Sequence, residues 1–272
     1  AVCSAALRYP ALDMRNVGLA ISGTPVTPPK HHLREYDGSH FSVLVSETTA
    51  TPQPGSDDIN RAYEEGWVGH EGYVKADGSR QRWALVFIGD TLSAQGEKHP
   101  EIFVVDLPLN DADYRQAGDK PLQGTPETLP APPAGVKQRR ITFTENGVAT
   151  QPRHWLRASP DGAQIAFLMK DQKGVVQVWT ISPNGGEPVQ ISHAESGVQS
   201  AFSWSPDGKS LALVCDHSVM RLDIESGEMR RLTARSEIAP SADAVVYSPD
   251  GTKVAFMRQC EGYAQIFVTD SH

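Results

Sequence analysis

Residues 202–214 read FSWSPDGKSLALV, and the fold turns on what the four central letters do. Proline presets φ at the second position of a turn, aspartate tolerates the bridge region beside it, and glycine supplies the left-handed residue that closes a hairpin. Short apolar runs flank the turn on both sides, so the stretch reads as strand, hairpin, strand. The same four letters recur at Ser159–Gly162 and Ser248–Gly251, placing the three serines 46 and 43 residues apart. Self-similarity at that period marks a repeat architecture.

The similarity extends beyond the turn. The runs HWLRA (154–158), SAFSW (200–204) and DAVVY (243–247) precede it, and QIAFLM (164–169), SLALVC (210–215) and KVAFMR (253–258) follow it. A third strand comes next in each unit: VVQVWTI (175–181), SVMRLDI (218–224) and AQIFVTD (264–270). Two units add a fourth, PVQIS (188–192) and MRRLT (229–233). Four short strands joined by tight turns make one blade of a β-propeller, and a period near 45 fits that count. The Val, Ile, Phe and Thr content and the missing 3.6-residue period exclude a helical solenoid.

The first half carries the same plan with insertions. SHFSVLVS (39–46), RWALVFIG (82–89), EIFVVDL (101–107) and QRRITFT (138–144) read as its four strands. The expected units are therefore 17–38 (the end of a preceding blade, around VGLAIS, and a linker), 39–144, 152–192, 199–233 and 242–272, the last without an outer strand. Segments 47–80 and 108–136 are the insertions. Within them SDDINRAYEEGW (56–67) reads as a helix with Ser56 as N-cap, and DKPLQGTPETLPAPPAGV (119–136) as a proline-rich loop. The expectation is one all-β propeller domain with about four blades, the C-terminal portion of a six- or seven-bladed ring.

Composition narrows the function classes. The 25 basic and 33 acidic residues give a net charge of −8, which repels a phosphate backbone, so nucleic acid is not an expected partner. No apolar run approaches the ~18 residues of a membrane-spanning helix, so no membrane insertion is expected. Cys3, Cys215 and Cys260 are too scattered for a disulfide framework or a metal knuckle. No G-x-S-x-G elbow and no phosphate-binding glycine loop occurs.

The repeats over 152–270 resemble the WD40-like units of TolB-type propellers. ALDMRNVGLA (11–20), REYDGSHFSVLVSETTATPQPGSDDINRAYEEGWVG (34–69), FIGDTLSAQGEK (87–98) and LPAPPAGVKQRRITFT (129–144) resemble the uncharacterised YidR-type bacterial proteins. That resemblance implies a longer propeller and favours the cytoplasm, in keeping with the absence of a visible export signal in AVCSAALRYP. TolB itself is periplasmic, so the periplasm stays open.

Candidate site residues follow from the repeat. Five residues before each turn serine stand His154, Ser200 and Asp243, and His40 opens the corresponding run of the first unit. Inner strands converge on a propeller's channel, so these residues and Arg153 are the ligand-binding candidates. His40, His154 and Asp243 together suit a divalent metal. A wet channel explains polar strand starts equally well. Distant TolB-like relatives, the oligogalacturonate lyases, hold a metal on channel histidines, and by that resemblance Arg153 would neutralise a uronate. In the insertion, Glu64, Glu65, Trp67 and His70 are candidates for a partner surface. The leading expectation is a non-catalytic scaffold binding a protein or small ligand, carbohydrates included, on the face that carries 47–80. The alternative is a metal-dependent carbohydrate-active enzyme resembling those lyases.

Overall fold

The apolar runs around the three Ser-Pro-Asp-Gly turns form antiparallel strands in a computed structural model, which describes residues 43–122, 130–148, 155–243 and 245–272. The first sheet draws on β1 (Ala62–Trp67), β4 (Ala84–Leu92), β5 (Lys98–Asp106) and β6 (Gln138–Arg140), with a two-stranded hairpin of β2 (Tyr73–Val74) and β3 (Arg80–Gln81) inserted after β1. The second orders β7 (Leu156–Ala158), β8 (Ile165–Lys170), β9 (Val176–Ile181) and β10 (Val189–Gln190). The third orders β11 (Ser203–Trp204), β12 (Ser210–Cys215), β13 (Ser218–Asp223) and β14 (Met229–Arg231). The fourth has three strands, β15 (Val246–Tyr247), β16 (Lys253–Cys260) and β17 (Tyr263–Asp270). Among the described residues no helix is long and apolar enough to cross a membrane.

Strand periodicity decides how the sheets stack. Successive side chains alternate faces, and both faces of the middle strands are apolar. Val86, Ile88, Ile102 and Val104 pack against Leu156, Ile165 and Phe167 of the second sheet. The opposite row of that sheet, Ala166, Leu168 and Val178, meets Phe202, Leu211 and Leu213 of the third. Ala212, Val214 and Val219 in turn meet Val254 and Phe256 of the fourth. Sheets stacked face to face in chain order are the blades of a β-propeller. On the far face of the first blade, Leu85, Phe87, Phe103 and Val105 are covered by Val43, Val45, Ile59, Tyr114 and Val136 from the flanking loops.

Two expectations in the first blade are corrected. Residues 56–67 form no helix: Ala62 to Trp67 pair with β4, from Ala62 opposite Gly89 to Trp67 opposite Leu85. The backbone N–H and C=O groups along β4's edge need partners, and that demand outweighs local helix preference. A register shift between Tyr63 and Gly66, with Glu64 at φ 54°, keeps the strand in place. Tyr63 locks it, donating from its hydroxyl to Asp90 Oδ1 at 2.8 Å while Lys98 Nζ holds Asp90 Oδ2 at 2.8 Å. Ser56 caps only a turn: its hydroxyl donates to Gln53 O at 2.8 Å and accepts from Asp58 N at 3.1 Å. Of the expected inner strand 39–46, residues 39–42 lie outside the described residues and 43–46 are not in a strand, while β1 pairs with the edge of β4.

The repeated turn has the same bonds each time. Ser159 N donates to Gln164 O at 2.8 Å and Gly162 N to Ser159 O at 2.9 Å. The Ser159 hydroxyl donates to Asp161 Oδ1 at 2.6 Å and accepts from Gln164 N at 3.0 Å. Ser205 with Asp207 and Ser248 with Asp250 repeat this, with hydroxyl-to-carboxylate distances of 2.6 and 2.5 Å. The serine hydroxyl and then a backbone N–H hold all three carboxyls below the usual range, Asp250 at about 2.

A second repeated device fastens the outer strand. Ile102 N donates to Thr142 Oγ1 at 2.8 Å, Val178 N to Ser192 Oγ at 2.8 Å and Val219 N to Thr233 Oγ1 at 3.0 Å. The residue before each hydroxyl closes the ladder, as Ile141, Ile191 and Leu232 donate to the carbonyls of Ile102, Val178 and Val219 at 2.9, 2.9 and 2.8 Å. The buried residue just ahead on the third strand completes two of these clasps. Glu101 accepts from the Thr142 hydroxyl, and Gln177 Oε1 accepts from Ser192 Oγ at 2.7 Å.

Two outcomes follow for stability. Gly162 and Gly208 share φ values of +74° and +71°, but a Cβ on Gly162 would lie 2.0 Å from Gly72 O, whereas one on Gly208 meets only Pro160 Cδ at 3.4 Å. Denaturant unfolding should therefore show Gly162→Ala more damaging than Gly208→Ala by at least ~1 kcal/mol. The turn aspartates also give a pH signature. Their folded pKa lies below the unfolded value of ~3.9, so their contribution is complete above that value and is lost as pH falls toward 2. Asp207→Asn should destabilise at pH 6, and its gap to the parent should narrow steadily between pH 4 and pH 2.

Candidate functional site

In the second, third and fourth blades the first strand is only two or three residues long, and in all four blades its end reaches the surface. Those ends, Trp67 of β1, Arg157 and Ala158 of β7, Trp204 of β11 and Tyr247 of β15, line one cleft of about 740 Å³ together with the turn prolines 160, 206 and 249. Repeat register explains the convergence: Trp204 and Tyr247 stand immediately before their turn serines. Trp155, Phe202 and His70 complete the apolar and aromatic walls.

The polar atoms of the cleft are mostly spent inside the protein. Trp155 Nε1 donates to Phe202 O at 2.7 Å, and Trp204 Nε1 returns the bond to Arg157 O at 2.9 Å, stitching the second and third blades together. Ser203 gives its hydroxyl proton to Val245 O, and the turn serines give theirs to aspartates. The Tyr247 hydroxyl lies 3.1 Å from Ser210 Oγ, and burial raises its pKa. What faces the cavity is ring surface. Trp67 is 43% exposed and meets Trp83 edge-on, with centroids 5.9 Å apart.

Charge is confined to one group. Arg157 lies with its guanidinium carbon 3.9 Å from the Trp155 ring centroid, and its Nη1 donates to Leu156 O at 2.6 Å. Among the lining residues it is the one arginine or lysine, and no aspartate or glutamate lines the cleft. A guanidinium flattened on an indole has its planar face already packed. The cleft can therefore hold a flat apolar group with an anionic substituent. A second, larger cavity of about 1260 Å³ between the first two blades mixes Lys98, Lys170, Glu145, Asp171 and Glu187 and has no such bias.

Sequence-derived candidates divide three ways. His40, Arg153 and His154 lie outside the described residues. Trp67 and His70 reach the cleft, with His70 N donating to Pro160 O at 2.8 Å, whereas Glu64 and Glu65 sit on β1 away from its lining. Ser200 is fully buried: its hydroxyl accepts from Val214 N at 2.7 Å and donates to Ala201 O at 2.6 Å. Asp243 is exposed in the bend before β15. Among the described residues no three His, Cys, Asp or Glu side chains group as metal ligands. Trp155, Arg157, Trp204 and Tyr247 were missed; the signal available was an aromatic residue directly before two of the three turns.

A protein of Escherichia coli named "Uncharacterized protein YidR" is 54% identical over 266 residues, which cover 96% of this chain. The chain is similar to that YidR protein along nearly all of its own length. It spans 60% of the length of that relative. An uncharacterised protein of Agrobacterium fabrum is 31% identical over 128 residues, covering 45% of this chain and 42% of its own. Among solved structures, TolB from Acinetobacter baumannii is similar over 87% of this chain and 45% of its own, with 17% identity and a TM-score of 0.49. A TolB assigned to Agrobacterium tumefaciens covers 75% of this chain and 58% of its own, with 21% identity and a TM-score of 0.42. No family model matches the chain.

The buried serine separates structural from ligand-binding roles. Ser200→Ala removes the acceptor of a buried N–H and should cost ~1–3 kcal/mol in unfolding free energy. Ligand affinity at the aromatic cleft, measured well below the melting temperature, should stay unchanged.

Proposed function

We propose that this chain is a non-catalytic binding scaffold whose protein or small-molecule ligand seats a flat apolar group in the cleft across the four first strands. The observation that carries the reading is the cleft's chemistry: ring faces and one guanidinium line it, while its hydroxyls and two of its indole N–H groups are paired within the protein. The lining carries Arg157 and no carboxylate of its own, the turn aspartates lying one hydrogen bond behind the lining serines. Trp67 at the end of β1 and His70 just after it line the cleft, which supports a binding role for this face.

Naphthalene-2-sulfonate matches this description, and titration calorimetry should detect its binding. Trp67→Ala should weaken it roughly tenfold, in line with the loss of a large aromatic contact. Arg157→Gln should weaken it and flatten its salt dependence. Ile266→Ser, on the exposed face of the fourth blade, should have no effect. Equal affinity for the Trp67→Ala and parent proteins would overturn the site. The lyase reading rests on His40 and His154; metal-dependent formation of an unsaturated product from oligogalacturonides would overturn the non-catalytic reading.

A further inference from the structure

The cavity of about 1260 Å³ between the first two blades shares no lining residue with the aromatic cleft. Its wall on the first blade is the segment that follows β6, and both ends of that segment are fixed. Thr144 gives its N–H and its hydroxyl to Glu101 Oε1 at 2.7 and 3.0 Å and takes His99 Nε2 on its carbonyl at 2.8 Å. Val148 N donates to Pro100 O at 2.8 Å, and Gly147 sits so close that a Cβ there would lie 2.8 Å from Pro100 Cδ. Phe143 opens this wall, 72% exposed, with the Arg140 guanidinium carbon 4.6 Å from its ring centroid. On the second blade the β8–β9 turn is tied by Asp171 Oδ1, which accepts from Lys173 N and Val175 N at 2.9 Å each. Trp179 spends its indole N–H on Met169 O at 3.0 Å and brings ring surface to the same cavity.

The polar groups left over are of mixed kind. Lys98 is taken by Asp90 and Asp171 by its own turn, whereas the side chains of Glu145, Asn146, Lys170, Gln172 and Glu187 have no partner among the described residues. Two carboxylates, one ammonium and two amides offer acceptors and donors side by side, which matches hydroxyl groups, each of them donor and acceptor at once. A ligand of strong net charge would meet a like charge here whatever its sign. The ring surfaces fit the C–H bonds of a pyranose, whose slightly positive hydrogens meet the negative face of an aromatic ring. One ring comes from each blade, so both faces of a sugar are served when its substituents are equatorial. The cavity also exceeds the roughly 300–1,000 Å³ of a site for one small molecule. We propose that it binds a neutral oligosaccharide of equatorially substituted pyranoses, with Phe143 and Trp179 as stacking surfaces and the unpaired amides and charges as partners for the hydroxyls. Walls fixed before the ligand arrives lower the ordering cost of binding.

The test titrates cellotetraose calorimetrically into the intact chain. The sugar should bind with a Kd of about 1 mM or tighter. Phe143→Ala, at an exposed position, should weaken binding roughly tenfold with the melting temperature unchanged. Glu187→Ala should weaken it by roughly three- to tenfold, the worth of one hydrogen bond. Trp67→Ala, in the aromatic cleft, should leave it unchanged, which keeps this site's test separate from that of the cleft. Because the ligand carries no charge, its affinity should stay constant between about 0.05 and 0.5 M salt. Absence of binding at about 10 mM cellotetraose, or equal affinity of the parent and Phe143→Ala proteins, overturns the proposal. So does tighter binding of tetragalacturonate than of cellotetraose, the result expected of an anion site.

Discussion

The serine hydroxyl given to the turn aspartate, at Ser159, Ser205 and Ser248, is the contact on which the rest of this protein is registered. It closes each hairpin in the same register, so the residue before the serine always pairs with the residue six after the serine, as Ala158 with Ile165, Trp204 with Leu211 and Tyr247 with Val254. A slip of one residue would send every apolar side chain to the opposite face. Because both faces of the middle strands are apolar, the cost would fall not on one sheet but on the two interfaces it shares. Regular turns thus secure regular stacking, and stacking brings the ends of the first strands together.

The same regularity explains why the cleft is aromatic. Positions just ahead of the turn are half-buried between neighbouring blades, where a large ring can cover the seam and still reach solvent. Trp155 and Trp204 use their N–H groups to bond across that seam, leaving their faces as wall. A residue that holds blades together in this way also forms the wall of the cleft, and Arg157 lies on the Trp155 ring.

The fastening of the outer strand is a separate device with a different sequence signature. Its hydroxyl must accept a backbone N–H and hand its own proton to the residue ahead, so Ser or Thr fits after an apolar residue, and an acceptor such as Glu101 or Gln177 fits opposite. Glu101 shows how far the device bends: it takes a charged form, with Arg140 at 3.0 Å and His99 at 3.1 Å compensating a carboxylate that has no access to solvent. A buried carboxylate held by so many donors stays paired where a lone one would not.

By itself the sequence determined the period, the turn and the strands of the last three blades, since proline, aspartate and glycine act locally and the apolar alternation is uninterrupted from 155 onward. It also singled out Trp67 and His70, both of which line the cleft. The strand at 62–67 was illegible for a physical reason: Glu64, Glu65 and Gly66 interrupt the strand preference of Tyr63 and Trp67, and the open edge of β4, with Asp90 bonded by Tyr63, made it one. Ser200 was read as lining a channel, yet its short hydroxyl is consumed by Val214 N, a bond between residues that only the folded sheet brings together. Tertiary structure alone decided that four strand ends, separated by tens of residues in the chain, share one cavity, because that depends on how blades stack and not on any local preference.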